Sequence, residues 1–535
     1  MKQRFVYLFS VLFFLPQLSS AQGFYDLTTL QDIHIVFPMK DWDGVLDSLK
    51  LGKEETALSA GININGELIE NAAIVYRGNS SFDSDRLKNP FNIDLNHTDE
   101  KANYQGYKTL KLANVFADPS FLREVLSYSI AGQYLQAPKA NYAKVSVNEV
   151  GLGVYVNIEA INKSFLKKHF GSNKNALFKA DPNWESKSSD GCTKTSGGSL
   201  EYLGEDVACY QANYELKSGD ESSWKSLIAL TKALKDGKPA EIEKHLDVDA
   251  TLWYLALNNV MVNLSSYIGK LEHNYYLYQK DNGQFTPIIW DLDRSFGSFK
   301  NTGEGASLDL AGLQQLDPML HAKNEKKPLI SQLLKNKGYQ KRYIAHIRTI
   351  LEENFLSEAY LTQIKVAHEM IMEEVSADAN KYFSFNDFMS NMYDMVYMNA
   401  KENVPGLVEL MAGRTEFLKK HPELLKVAPS IDMTKHSFKR TKAKDDVWII
   451  ARTQKAESVS VYYRYSANDA FQVTELFDDG KHNDASKADG MFAVSLKQAK
   501  VGQKLEYYIY AENAGAASFS PARAGKEVHS VSDED

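Results

Sequence analysis

The spacing of apolar and polar positions changes character along the chain. Residues 33–37, 73–76 and 88–95 read as strands, the last alternating at period two as a half-buried strand does. Between the first two, 63–70 contains Asn65-Gly66, which favours a two-residue hairpin turn because both positions tolerate positive φ. A short helix is predicted over 41–51, so residues 22 to about 110 read as mostly β. Asp118-Pro119 then predicts a helix start, with Asp as cap and Pro in the first turn, and Leu122, Val125, Leu126 and Ile130 supply its apolar stripe. Strands follow at 143–148 and 153–158, joined by a turn at 149–151, then a short helix over 163–169 and a strand at 176–179.

From 181 to 220 the chain is polar and rich in Gly and Ser, and reads as an insertion. From 221 to 425 helical periodicity dominates, with 253–264 and 343–356 as clear cases. One hairpin interrupts it: an aromatic strand at 273–278, a turn at 280–283, and a second strand from 285 to Trp290. Beyond 429, strands at 447–450, 459–465 and 505–510 have sandwich spacing, in a unit of about 100 residues, an immunoglobulin-like size. The expected division is 1–21, 22–180, 181–428 and 429–535.

A chain of 535 residues is too long for one core. Net charge is −8 with the signs mixed, which argues against nucleic-acid binding through a bulk positive field. Lys2 and Arg4, the apolar run 6–15 and Ser19-Ser20-Ala21 predict a secretory signal over 1–21. No later run is long enough for a transmembrane segment. The mature protein is therefore expected to be secreted, periplasmic or on the cell surface. Cys192 and Cys209 are expected to pair in that setting, closing a loop worth roughly 3 kcal/mol in the chain-entropy account.

The chemistry concentrates on the hairpin. Asp291 and Asp293 follow Trp290 at a strand end that leads into Gly297, with Asn274 upstream. Oxygen ligands in that pattern suit a hard cation, Mg2+ or Mn2+, bridging phosphate oxygens. The 12 histidines have no metal-ligand spacing, and no P-loop motif is present. Asp478, Asp479, Asp484 and Asp489 form an acidic, glycine-containing loop that suits Ca2+, although turn-forming Asp-Gly pairs account for much of it.

Several blocks in order carry a family resemblance: YRGNSS (76–81) with KNPF (88–91), LKLANVFADPSFLRE (110–124), GLGVYVNIEAINKSFL (151–166), LFKAD (177–181), HNYYLY and WDLDRSFG. Together they span roughly 30 to 420 and resemble the CotH kinase family of atypical kinases. The resemblance implies a divergent protein-kinase-like fold, so that the pattern of elements reads as an α+β chain of two lobes, the first β-rich and the second helical, with the all-β sandwich after them. It implies ATP bound with a divalent metal, and phosphate transfer to a secreted or surface protein acceptor. Asp291 matches the family's metal-binding Asp, Asp293 the second acidic residue of that block, and Asn274 the Asn that precedes the aromatic strand. Arg77, Lys88 and Lys111 become candidates to contact the phosphates, Glu124 to orient a lysine, and Glu159 to line the adenine pocket. Members often read Asn-Leu-Asp-Ser-Tyr where this chain has Asn263-Leu264-Ser265-Ser266-Tyr267. Ser265 cannot accept a proton as a carboxylate does. Either Glu272 substitutes as base, or transfer is slow, or the chain is a pseudokinase-like surface or coat-type binding protein.

Overall fold

The computed structural model describes residues 23–54, 56–183, 192, 197–398, 402–437, 446–497 and 504–531. The predicted signal and part of the 181–220 stretch lie outside them. The chain is a mixed α+β protein with fourteen α-helices among the described residues. No described helix is long and apolar enough to cross a membrane.

The first unit is a closed barrel of seven strands. They are β1 (Gln31–Val36), β2 (Leu58–Ile64), β3 (Glu67–Tyr76), β4 (Phe91–Asp94), β5 (Thr109–Ala113), β6 (Ala140–Val147) and β7 (Val150–Glu159). Helices α1 (Trp42–Leu51), α2 (Arg123–Ala131) and α3 (Lys163–Phe170) accompany them. Ile33 pairs with Ile64 on β2 and, in parallel, with Val145 on β6, and this parallel pair closes the barrel. Inward side chains such as Ile33, Ile62, Ile74, Phe91, Ile93 and Leu112 fill the interior. Alternation fixes which face of a strand is buried but not which strand it pairs with, so the closure was not legible. The Asn65-Gly66 turn forms as expected, with φ of 53° and 92°.

Helix α2 begins at Arg123, later than Asp118-Pro119 predicted. Asp118 still acts as a cap across that gap: its carboxylate accepts the N–H groups of Ser120 and Arg123 and the Arg123 guanidinium. Helix α3 forms where expected, capped by Asn162 and stopped by Gly171 at φ 74°.

A second, antiparallel sheet has the order β11-β10-β8-β9. It comprises β8 (Leu177–Ala180), β9 (Tyr214–Ser218), β10 (Tyr275–Gln279) and β11 (Phe285–Ile289). Strand β9 lies inside the expected insertion, which is therefore partly built into this sheet, and Cys192 and Cys209 are disulfide-bonded beside it. The helix Val248–Val260 is buried nearly all round and stops short of the predicted 264. Its apolar continuation leaves the helix because Met261 and Val262 offer their carbonyls to Phe296 and Gly297, which follow the Asp291 turn. The helix Lys337–Ile350 runs into a π-helical turn, Leu351–Leu356. A small ribbon pairs β12 (Val396–Tyr397) with β13 (Asn403–Val404).

The last unit is a two-sheet sandwich. One sheet is β14 (Ser430–Ser437), β15 (Val447–Gln454) and β18 (Met491–Leu496). The other is β16 (Ser458–Arg464), β17 (Gln472–Leu476), β19 (Leu505–Glu512), β20 (Ala517–Ser520) and β21 (His529–Val531). Ile449, Val461, Tyr507 and Ile509 share its interior. Tyr508, Tyr510 and Phe519 face the other way and pack with Ala345 of the helix Lys337–Ile350. Trp253 Nε1 donates to the Ala524 carbonyl at 3.1 Å, and Arg523 pairs with Glu353 at 2.8 Å. In the acidic loop, Asp484 accepts the N–H groups of Gly480 and His482, and Asp478 accepts those of Asp489 and Gly490. Asp489 accepts from Ser486 and Met491, and Asp479 from Lys481 and His482. The carboxylates thus fold the loop through hydrogen bonds, most of them from backbone N–H groups.

Candidate active site

The barrel, helix α2 and the β10–β11 hairpin converge on one acidic turn. Tyr275 pairs with Ile289, and this register sets Asn274 beside the strand end that delivers Trp290 and Asp291. Asp291 has φ 58° and Asn274 has φ 58°. Val262, Glu272 and Phe296 nearby also have positive φ. For Val262, a β-branched residue, this conformation is rare and costs energy that the surrounding packing must offset. Such outliers gather where a fold holds a side chain in place for function. The Asp291 N–H donates to the Tyr128 hydroxyl of α2 at 3.1 Å. One α2 turn earlier, the Glu124 carboxylate accepts the Leu292 N–H. Ser127 on the same helix bonds to Ser295 at 2.7 Å. Helix α2 thus carries the acidic turn on three bonds.

Electrostatically the turn is unbalanced. Burial first, and then the Asp291 carboxylate hydrogen-bonded to it, push Asp293 up to about 8. Burial, then Asp293 and Asp291, raise Glu124, while Arg77 and the Leu292 N–H oppose them. Three carboxyl groups therefore face one another with too little positive charge among them. On the barrel side, the Lys111 amine contacts Asn92 Oδ1 at 2.9 Å and lies 5.9 Å from the Trp290 ring. Burial, followed by repulsion from Arg77, Lys179 and Lys217, lowers Lys111 to about 7. Arg77 Nε is buried without a hydrogen-bond partner. The oxygen-rich donor set suits a divalent cation, and the cations on the opposing wall suit phosphate. Asn274 Nδ2 donates to the Ser265 carbonyl at 3.2 Å and to its hydroxyl at 3.3 Å, so Oδ1 is the atom left for a cation. Ser265 Oγ lies 3.4 Å from His273 Nε2.

The structure thus brings together Arg77, Lys111, Glu124, Ser265, Asn274, Asp291 and Asp293. Three expected residues sit elsewhere. Lys88 is fully buried and ion-paired to Asp378 at 2.5 Å, flanked by the Phe121 and Tyr155 rings, so it is a structural lysine. Glu159 accepts the Lys139 N–H at 3.1 Å and pairs with Lys168 at 3.2 Å, away from the acidic turn. Glu272 is buried against Lys327 at 2.8 Å, and the same amine also bonds the Tyr267 and Gly269 carbonyls. Held there, Glu272 does not replace a base at 265. The sequence reading missed Lys179, which pairs with Asp181 at 2.5 Å and has Tyr276 and Asp291 in its field. The charged pair at the end of LFKAD was its only signal.

Residues 74–418, more than half of the chain, match the CotH kinase protein family. The chain belongs to that family. This CotH stretch runs from inside β3 to the helix Leu407–Lys420, so it holds every residue of the acidic turn and its opposing cations. The inner spore coat protein H of Bacillus subtilis strain 168 is 26% identical over 363 residues, covering 66% of this chain and 87% of that protein. Among solved structures, a bromine derivative of BhCBM56 is 15% identical over 18% of this chain and 90% of its own, with a TM-score of 0.14. A twitchin kinase fragment with immunoglobulin domains from C. elegans is 9% identical over 81% of this chain and 88% of its own, with a TM-score of 0.15. Scores this low decide neither fold nor function.

Proposed function

We propose that this CotH-family chain is an exported, ATP- and divalent-metal-dependent kinase-like protein that transfers phosphate to a secreted or surface protein. On this reading the barrel with α2 is the first lobe of a divergent kinase-like fold, and the sheet with its helices is the second. The observation that carries it is the opposition of Arg77, Lys111 and Lys179 to Glu124, Asp291 and Asp293. Asp291, Asp293 and Asn274 would hold Mg2+ or Mn2+, which when bound neutralises phosphate charge. Arg77, Lys111 and Lys179 would fix the phosphate oxygens, and the unpartnered Arg77 Nε gains an acceptor there. Glu124 holds the metal turn through the Leu292 N–H. Phosphoryl transfer relies on charge placement and alignment more than on covalent help, so Ser265 slows the reaction without abolishing it. The test is thermal stabilisation of the full chain by ATP with and without Mg2+. A metal-dependent rise in melting temperature is expected by linkage, and no rise with either ligand would sink the reading.

The lowered Lys111 amine gives a signed pH dependence. It rests near 7 in the free protein, and a polyphosphate beside it raises its proton affinity. For ATP without metal, the Lys111 contribution to affinity is then flat below about pH 7 and falls by up to about tenfold per unit above it, with a proton taken up on binding; metal loading at Asp293, held up to about 8, releases a proton, so the uptake is read on metal-free ATP. Calorimetry at pH 8 in two buffers of different ionisation enthalpy measures that uptake, and Lys111→Met should remove it.

One observation favours a second reading. Ser265 stands where family members often carry a carboxylate, and the relative's name is that of a coat protein. A surface-associated, pseudokinase-like binder would bind nucleotide without transferring phosphate. Ser265→Asp is expected to raise transfer by roughly 10²–10⁴-fold, the range for a positioned general base. A variant that binds ATP and still transfers nothing would favour the binder.

A further inference from the structure

A second site lies away from the acidic turn. A cavity of about 480 Å3 opens between the outer face of the β16–β19 sheet and the helices Val248–Val260 and Lys337–Ile350. That volume falls within the roughly 300–1,000 Å3 of small-molecule sites, which favour junctions between structural units. We propose that it binds a neutral saccharide of one or two sugar units. The proposal is independent of the nucleotide reading.

The argument is charge balance. Asp247 pairs with Lys280 at 2.6 Å, and Arg464 with Glu506 at 2.8 Å. Asp249 accepts from His346, a histidine that burial keeps neutral, so its charge is answered by the neighbouring Arg342. Asp247, Asp249, Arg342 and Arg464 all lie within the field of the Tyr508 hydroxyl. Inside the cavity an entering ion of either sign would disturb three matched pairs; the other acids of the lining, Glu243, Asp281 and Asp469, are exposed and screened by solvent, and Lys526 is engaged by the Leu135 carbonyl. A hydroxyl-bearing ligand avoids this, because each hydroxyl donates to a carboxylate and accepts from a guanidinium. Forked carboxylate and guanidinium groups suit neighbouring hydroxyls, and a lining that is both donor and acceptor selects polyols over apolar ligands. The loop 466–470, exposed between β16 and β17, forms the rim.

The test is saturation-transfer NMR on the full chain with glucose, maltose, cellobiose and lactose, with glycine and inorganic phosphate as controls. At least one saccharide is expected to bind. Ala467→Trp, an enlargement at the exposed rim, should abolish binding while leaving the melting temperature unchanged, and Asp249→Asn should weaken it roughly tenfold or more. The proposal fails if no saccharide binds, if binding survives Ala467→Trp, or if Ala467→Trp removes binding of phosphate or glycine instead.

Discussion

Asp291→Asn is expected to abolish the metal-dependent part of ATP stabilisation and to lower phosphate transfer by about 10²–10³-fold, the scale for loss of a preorganised electrostatic contact. The same variant should melt at or above the wild-type temperature. Both effects come from one arrangement. Asp291 touches Asp293, and together they press on Glu124, which burial already disfavours as an anion. Removing one charge relieves the other two. Asparagine also keeps the backbone, since it tolerates the left-handed conformation at φ 58° better than most residues. A turn kept for stability would lose melting temperature on this change, whereas a turn kept for a cation loses only ligand response. Calorimetric melts with and without ATP and Mg2+, with a transfer assay alongside, separate the two cases. A variant that melts lower and still responds to Mg2+ would remove Asp291 from the metal site.

The acidic turn was legible because its residues are close in sequence. Asp291, Asp293 and the hairpin that bears them fall within twenty residues or so, and a strand end is a local feature. The cations opposite were only half legible. Lys111 sits at a strand position of β5 whose alternation shows a face, and that face does lead to the site, whereas Arg77 lies just past the end of β3, where no alternation assigns a face. Lys179 is on an equally ordinary strand, and only its pairing with Asp181 sets it apart. What stayed hidden was partnership across the chain. Nothing near Lys88 announces Asp378, which is 290 residues away. Nothing near Glu272 announces Lys327. A buried charge and a ligand-binding charge look alike in sequence, because both need a counter-charge and sequence does not print its position.

The fold follows the same division. Hairpins, helix α3 and the sandwich strands rest on neighbouring residues and formed where expected. The barrel closure depends on β1 meeting β6 in parallel, and the early end of Val248–Val260 depends on Phe296 and Gly297 returning to take its carbonyls. The aromatic residues of β19 point both ways because each face of that sheet has an occupant, the sandwich interior on one side and Ala345 on the other. Residues 505–510 read as one strand, and nothing in their pattern announces a second packing surface.

Lys88→Met is expected to destabilise the protein by about 3–5 kcal/mol, the penalty for leaving one member of a buried ion pair behind. Both side chains are fully buried. Asp378 follows the helix Ala359–Ala377 and reaches the barrel beside Gly153, where φ is 91° and an added Cβ would fall 2.0 Å from the carboxylate. The pair thus ties the turn before β4 to the end of that helix, across the junction of the barrel and the helical part. Asp378 keeps an N–H from Asn380 at 2.8 Å, which does not offset a buried charge without its lysine. The double variant Lys88→Met with Asp378→Asn should therefore recover much of the loss, because no unpaired charge remains. A phosphate-contacting Lys88 would behave differently: stability would hold, ATP affinity would fall, and the second substitution would rescue nothing. Urea melts of the two single variants and the double, together with ATP affinity measured well below each melting temperature, distinguish a strut between the barrel and the helical part from a ligand contact.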